Sequence, residues 1–270
     1  MIKLTSDDFK AFEHDGYLVV PNVIPADLCT AASEVISRFL DIDLDNPNTW
    51  YGKELGRNGI VPVHQHQAVW NTRQHPNVHS LFAQIFGQEN LWVRLDRLSF
   101  KPPSREAESE ESANSYIHVD AAPATLKTLR LQGILYLNDT AENQGAFCCV
   151  PSLFREKSLL EQKRGLVFSA EDLADHDILN IPGQAGTMII WNSLLPHSGA
   201  INTSDQPRLA QYISMMPEET EEDREIRIQL WKNRQAPERW RGLPSQQDPE
   251  PGEPAQLTKL GRKLLGLDSW

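Results

Sequence analysis

The chain predicts a mainly β fold with flanking helices, a double-sheet jelly roll or barrel. Three observations carry this. Between residues 91 and 217, apolar residues recur in short runs punctuated by Gly, Pro and Asn, the pattern of strands joined by turns. Helical spacing of apolar residues is confined to the segments on either side. The 270 residues, 40% of them hydrophobic, suffice for a sizeable core, and β-rich units of this length often form one domain. The expected organisation is therefore a single domain, 1–270. Residues 1–90 supply helices and a pocket-forming region, 91–217 the jelly-roll core, and 218–270 a helical extension.

Each element has its own signal. Residues 6–15 predict a helix with Ser6 as N-cap, Phe9 and Phe12 on one face and Gly16 as terminator. "YLVVP" reads as a strand. Pro25 opens a second helix, with Leu28, Ala32, Val35, Ile36 and Phe39 at helical spacing. "DLDNPN" and "GRNG" make 41–60 loop-like, and "HPNVHSLFAQIFG" predicts a third helix over 75–87. "LWVRLDRLSF" alternates as one strand up to Pro102-Pro103, and "EAESEESANS" is a charged loop. The strands "YIHVD", "LRLQGILYLND", "GAFCCVP", "GLVFS", "DILNIP", "GTMIIWNS", "HSGAIN" and "RLAQYISMMP" follow. Beyond 218, "EETEEDREIRIQLWKNRQ" predicts a surface helix whose acidic start and basic end suit the helix dipole. Leu257, Leu260, Leu264 and Leu265 then dock the C-terminal segment onto the body.

Composition narrows the function. With 26 Lys+Arg against 37 Asp+Glu the net charge is −11, a poor match to nucleic acid or an anionic membrane. Cys29, Cys148 and Cys149 are too few and too oddly spaced for a disulfide scaffold, which suits a reducing cytoplasm. Neither a signal-peptide core nor an apolar run of membrane-spanning length is visible. The expected protein is cytoplasmic and acts on a small molecule; no feature assigns an oligomeric state.

Chemistry concentrates in "SYIHVDAAP" and "LLPHSGAINTSDQPRLAQY". His118 and Asp120 lie two apart on a strand, so both side chains face one way. His197 from a distant strand would complete a set of two histidines and one carboxylate. Such a set fills one face of an octahedral Fe(II) and leaves the other face open. Arg208 follows His197 by 208 − 197 = 11 residues and shares a strand face with Ala210 and Tyr212. There it could clamp a carboxylate in bidentate fashion. Fe(II) together with a carboxylate clamp points to oxygenation dependent on 2-oxoglutarate and O2. Other constellations are weaker. His64 and His66 share a face but lack a carboxylate or thiol partner. Ser193 and Ser198 lack a nucleophile-elbow glycine pattern, and adjacent Cys148 and Cys149 do not form a redox dithiol. Aromatic and polar residues between the second helix and His118, namely Trp50, Tyr51, His64, His66, Trp70 and Arg73, are expected to line the substrate pocket, with Tyr116 beside the ligands.

These motifs resemble the phytanoyl-CoA dioxygenase family, from the N-terminus to about residue 216. "FEHDGYLVVPNVIPADLC" is similar to the family's opening, "IHVD" to its His-x-Asp ligand motif, and "HSGAINTSDQPR" to its distal histidine and arginine. "LQGILYLNDTAENQGAFCCVPSLF" resembles its central strand pair. Here Gln144-Gly145 replaces the family's Asn-Gly, and Pro151-Ser152-Leu153-Phe154 replaces its Pro-Gly-Ser-His. The resemblance implies a double-stranded β-helix, the cupin-like form of jelly roll, and a 2-oxoglutarate-dependent non-haem iron dioxygenase. It implies His118, Asp120 and His197 as metal ligands, Arg208 on the far carboxylate of 2-oxoglutarate, and Lys101 and Gln132 as further co-substrate contacts. The reaction would hydroxylate or otherwise oxidise an unactivated C–H bond as 2-oxoglutarate becomes succinate and CO2. A carboxylate at position 120 argues against halogenation. The acidic charge, and the lack of an evident Lys/Arg cluster, favour a small polar metabolite, an amino-acid derivative or a natural-product intermediate. Alternatives are an acyl-CoA hydroxylase of the same family and a cupin-like metal enzyme or binding module that uses no keto acid.

Overall fold

Period-two alternation along the strands sorts their side chains between two cores, and the site lies on one of the two faces so defined. The computed structural model describes residues 1–53, 55, 59–105, 116–120, 128–163 and 165–270. The elements run α1 (Ser6–Asp15), β1 (Tyr17–Val20), α2 (Ala26–Leu40), β2 (Ile60–Val61), α3 (Gln67–Arg73), α4 (Pro76–Phe86), β3 (Leu91–Val93) and β4 (Leu98–Lys101). Then come β5 (Leu131–Tyr136), β6 (Phe147–Cys149), α5 (Pro151–Arg155), α6 (Lys157–Gln162), α7 (Ala170–Leu173), β7 (Leu179–Ile181), β8 (Met188–Asn192) and β9 (His197–Gly199). The chain ends with β10 (Arg208–Tyr212), β11 (Met215–Pro217), α8 (Glu221–Lys232) and α9 (Lys259–Leu265).

Among the described residues the strands form three sheets with antiparallel pairing. The largest runs β1-β8-β5-β10-β4-β2, a second β7-β6-β9, and β3 pairs with β11. On one face of the large sheet, Leu135, Met188, Ile190, Leu209 and Phe100 pack with apolar residues of α2, α3 and α4. On the other face, Ile134, Tyr136, Ile189, Trp191 and Ala210 pack with Phe147, Cys148, Cys149 and Ile181 of the small sheet. Alternation therefore puts Ser99, Lys101, Gln132, Arg208 and Tyr212 on the face toward the small sheet. Where β5 passes under the chain, only glycine fits: a Cβ at Gly133 would stand 2.6 Å from the Ile213 carbonyl oxygen.

Several boundaries differ from expectation. Thr5, not Ser6, caps α1, because Thr5 and Asp8 form a reciprocal capping box. Gly16 ends it in the left-handed region at φ 81°. "LWVRLDRLSF" is two strands in two sheets. The Asp96 carboxylate accepts from the Arg97 amide at 3.0 Å and from its guanidinium at 2.6 Å, and this local turn breaks the ladder. The "RLAQYISMMP" run divides likewise into β10 and β11. The "YIHVD" and "GLVFS" segments contribute only isolated bridges, His118 to Val167 and His118 to His197. α3 is a helix where the sequence suggested no element, and Pro151–Arg155 is a short helix with Pro at its first position instead of a turn. "EAESEESANS", 106–115, lies outside the described residues.

Near the C-terminus Thr220 caps α8 in a second capping box. Buried Arg227 reaches from α8 to the carbonyls of Val93, Leu264 and Leu265, tying α9 and β3 together, while Leu264 and Leu265 enter the helix-side core. Among the described residues no helix is long and apolar enough to cross a membrane. All three cysteines are free and buried.

Candidate metal centre

The two histidines meet through the backbone before their side chains meet. The His118 amide donates to the His197 carbonyl at 3.0 Å, and the His197 amide donates back at 2.9 Å. A pair that exchanges both hydrogen bonds places its side chains on the same side, and the two rings stand 4.6 Å apart between centroids. Asp120 is carried two residues on from His118, its own amide held by the Ser193 carbonyl at 3.2 Å. One ligand atom from each of His118, Asp120 and His197 lies within 4.8 Å of the others. The Nε2 atoms stand 3.9 Å (His118) and 3.5 Å (His197) from the Asp120 carboxylate.

The donor chemistry fits a divalent metal. His118 Nδ1 lies 3.0 Å from the Tyr116 carbonyl and His197 Nδ1 lies 2.8 Å from the Leu195 carbonyl. A carbonyl only accepts, so each Nδ1 carries the hydrogen and each Nε2 turns its lone pair toward Asp120. Burial presses the His197 pKa down to about 4, against the pull of Asp120, which keeps the ring neutral. Phe147 and Trp191 pack on the same ring at centroid distances of 5.7 and 5.0 Å, fixing its orientation. Gln132, which lines the same cavity as Arg208, donates through Nε2 to Asp120 Oδ2 and so orients the carboxylate.

Beside this trio lies a cavity of about 150 Å³ walled by His118, Asp120, His197, Arg208 and Tyr212 among others. Arg208 is 1% exposed, donates to Ser99 Oγ at 2.6 Å and has an unpartnered Nε. Among the described residues no carboxylate pairs with it. A buried guanidinium with donors to spare is a receptor for an anion. Lys101 sits directly across from Arg208 in the ladder, and its ammonium donates to the carbonyls of Gly199 (3.0 Å) and Ala200. Lys101 thus lies next to Arg208 and is engaged by β9 and the turn that follows it.

The expected pocket residues from 50–73 are a correction. Trp70 is fully buried with its indole N–H on Gln65 Oε1 at 3.0 Å. Arg73, equally buried, bonds the His64 and Asp96 carbonyls and stacks over Trp70. His66 caps α3 by accepting from the Ala68 amide. Trp50 bonds Asp43, and Tyr51 bonds Pro103. These residues hold the helical layer and do not line the metal cavity; scattered aromatics most often serve packing in this way. Tyr116 is 37% exposed and its ring lies 5.2 Å from that of His118. The larger cavity, about 500 Å³, adjoins Asp120 and is walled instead by Arg94, Arg130, Met215, Glu219, Arg239 and neighbours. Arg130 was within reach of the sequence: it shares the alternating face of Gln132 in "LRLQG".

The family model described as phytanoyl-CoA dioxygenase (PhyH) matches residues 12–210. A Dictyostelium discoideum protein carrying that family's name is 24% identical over 278 residues, covering 83% of this chain and 78% of the relative. In structure the chain is similar to SnoK, a non-haem α-ketoglutarate-dependent carbocyclase from nogalamycin biosynthesis, at TM-score 0.57 and 22% identity over 79% of this chain and 84% of that one. It is also similar to the epimerase SnoN in complex with Fe3+, α-ketoglutarate and nogalamycin RO, at TM-score 0.55 and 16% identity over 78% and 82% of the two chains. Sheet architecture, ligand set and family match together define a 2-oxoglutarate-dependent non-haem iron dioxygenase, and the alternative without a keto acid falls away. The chain belongs to the phytanoyl-CoA dioxygenase family. Its metal is Fe(II), and 2-oxoglutarate and O2 are its co-substrates.

Proposed function

We propose that this protein oxidises an unactivated C–H bond of a small polar metabolite, with His118, Asp120 and His197 holding the iron and Arg208 holding the C5 carboxylate of 2-oxoglutarate. The observation that carries the reading is the convergence of both Nε2 lone pairs on one carboxylate, next to a buried arginine that has no acid partner among the described residues. When bound, the iron supplies O2 activation coupled to decarboxylation of the keto acid. The chain's residues do the rest. Gln132 keeps the Asp120 carboxylate turned inward, and the Tyr116 and Leu195 carbonyls keep both imidazoles in the ligating tautomer. Trp191 and Phe147 exclude water from the His197 side. Lys101 adds positive potential beside Arg208 without itself being free to move.

The same reading takes residues 1–270 as one oxygenase unit of double-stranded β-helix type. It is supported by the facing large and small sheets and by the Arg227 ties that bring the C-terminal helices onto β3. A cytoplasmic setting agrees with three unpaired thiols. The test is anaerobic titration of Fe(II) and 2-oxoglutarate, followed by absorbance, with succinate release scored over a metabolite panel. Substrate-stimulated succinate that vanishes in His118→Ala supports the reading; turnover that does not need 2-oxoglutarate refutes it.

A further inference from the structure

A cavity of about 500 Å³ adjoins Asp120. Three arginines, Arg94, Arg130 and Arg239, line it together with four acids, Asp96, Asp120, Glu218 and Glu219. Arginines brought close together repel one another unless opposite charge offsets them. Among the described residues none of the three forms an ion pair. Arg94 is half-buried, and its position is fixed by the β3–β11 ribbon, through its amide on the Ser214 carbonyl at 2.8 Å. Burial presses its guanidinium below the ordinary range; Arg239 and Arg130 add to that pressure, and Glu219 and Asp96 oppose it. Neither acid satisfies it: Asp96 is committed to Arg97 at 2.6 Å, and Glu219, like its neighbour Glu218, is exposed to water.

The cavity is tied to the metal trio. It shares Asp96, Asp120, Gln132 and Trp240 with the smaller cavity that holds His118, His197 and Arg208. Arg130 and Gln132 stand on one face of the same strand segment, one repeat of about 7 Å apart, and Gln132 bonds Asp120. We propose that this cavity is the substrate site, and that Arg94, seconded by Arg130 and Arg239, anchors the substrate by an anionic group, a carboxylate or a phosphate monoester. The inference rests on the oxygenase reading above and adds the class of substrate.

Phenylglyoxal labelling of arginines, read residue by residue by peptide mass mapping, tests it on wild-type protein loaded anaerobically with Fe(II) and 2-oxoglutarate. The probes are acetate, hexanoate and benzoate, each against its primary amide at equal concentration, with phenyl phosphate as a further arm. At least one acid slows labelling of Arg94, Arg130 and Arg239 fivefold or more relative to its amide, while labelling of Arg155, which pairs with Asp15 and does not line the cavity, is unchanged. Phenyl phosphate acting at lower concentration than benzoate assigns the phosphate class, and the reverse order the carboxylate class. Equal rates with every acid and its amide, or equal protection of Arg155, would overturn the proposal. In Arg94→Gln the acid–amide difference at Arg130 and Arg239 disappears; its persistence would also overturn it. The Fe(II)–2-oxoglutarate absorbance of the same sample separates the two claims. Its absence defeats the oxygenase reading, and its presence without protection defeats only the anion anchor.

Discussion

Arg208→Met should move ligand affinity and stability in opposite directions. The guanidinium is 1% exposed, its Nε lacks a partner, and it donates to the neutral Ser99 hydroxyl at 2.6 Å. Lys101 faces it across the ladder, and like charges directly opposite are destabilising. In the metal-free protein the charge is thus buried without an acid, a situation that costs several kcal/mol. Methionine has a similar unbranched reach and fills irregular space, so the apo variant should be as stable as wild type or more so, by about 1–3 kcal/mol. With 2-oxoglutarate bound, two charge-assisted hydrogen bonds of about 1.5–3 kcal/mol each are lost. At about 1.4 kcal/mol per decade, affinity should fall by about two to four orders of magnitude. Urea melts of the apo proteins give the first number and anaerobic 2-oxoglutarate titrations the second. A loss of affinity below threefold, or a variant destabilised by more than about 3 kcal/mol, would refute the reasoning, the latter through the named cost of breaking a structural network.

Three further outcomes follow from other residues. His118→Ala should weaken Fe(II) binding by more than about 100-fold in equilibrium dialysis, since loss of an outer hydrogen bond alone costs about 10–100-fold. His64 is fully buried with both ring nitrogens unpartnered, and burial, with Arg73 beside it, lowers its pKa from 6.5 to about 4. Its unfolded form takes a proton that the folded form refuses, so stability is fully present above pH 6.5 and falls as pH drops toward 4, by about 3 kcal/mol. His64→Leu should flatten that slope in urea melts at pH 7.5 and 4.5, and an unchanged slope would exclude His64 as its source. Gly133→Ala forces a methyl to 2.6 Å from the Ile213 oxygen and 2.7 Å from Met188 Cε. It should cost about 1–3 kcal/mol, and a neutral melt would show that the β5–β10 region yields more than its packing suggests.

The site was more legible than the fold. His118, Asp120, His197 and Arg208 could be read because their types and spacings are chemically constrained, and the structure gathers all four around one small cavity. Helix ends with Gly or Pro punctuation were equally legible, as at Gly16 and Gly87. Strand partners were not. Alternation in "LWVRLDRLSF" slips at the adjacent polar pair Asp96-Arg97, and there Asp96 turns the chain between two sheets, because one side-chain hydrogen bond can stop a ladder that hydrophobicity would continue. The substrate side was missed for a related reason. Arg94, Arg130 and Arg239 are far apart in sequence and come to one cavity only after β3, β5 and the C-terminal segment are assembled. Trp70 and Arg73 misled in the opposite sense: an aromatic and a basic residue ahead of His118 look like pocket lining, but both are buried in the helical layer, where Arg73 stacks over Trp70.

The backbone exchange between His118 and His197 gives the metal a second job. Residues 116–120 belong to no strand. Besides that exchange they are held by amide bonds between Val119 and Leu166, Phe168 and Ile117, and Asp120 and Ser193. An ion gripping both imidazoles and Asp120 acts as a rivet through this seam, joining stretches some eighty residues apart in the chain (197 − 118 = 79). At an Fe(II) concentration of 100 Kd such a fastening contributes about 2.7 kcal/mol. Iron starvation would then loosen the seam that carries the chemistry and expose it to proteases, so the protein's lifetime would track the supply of its own metal.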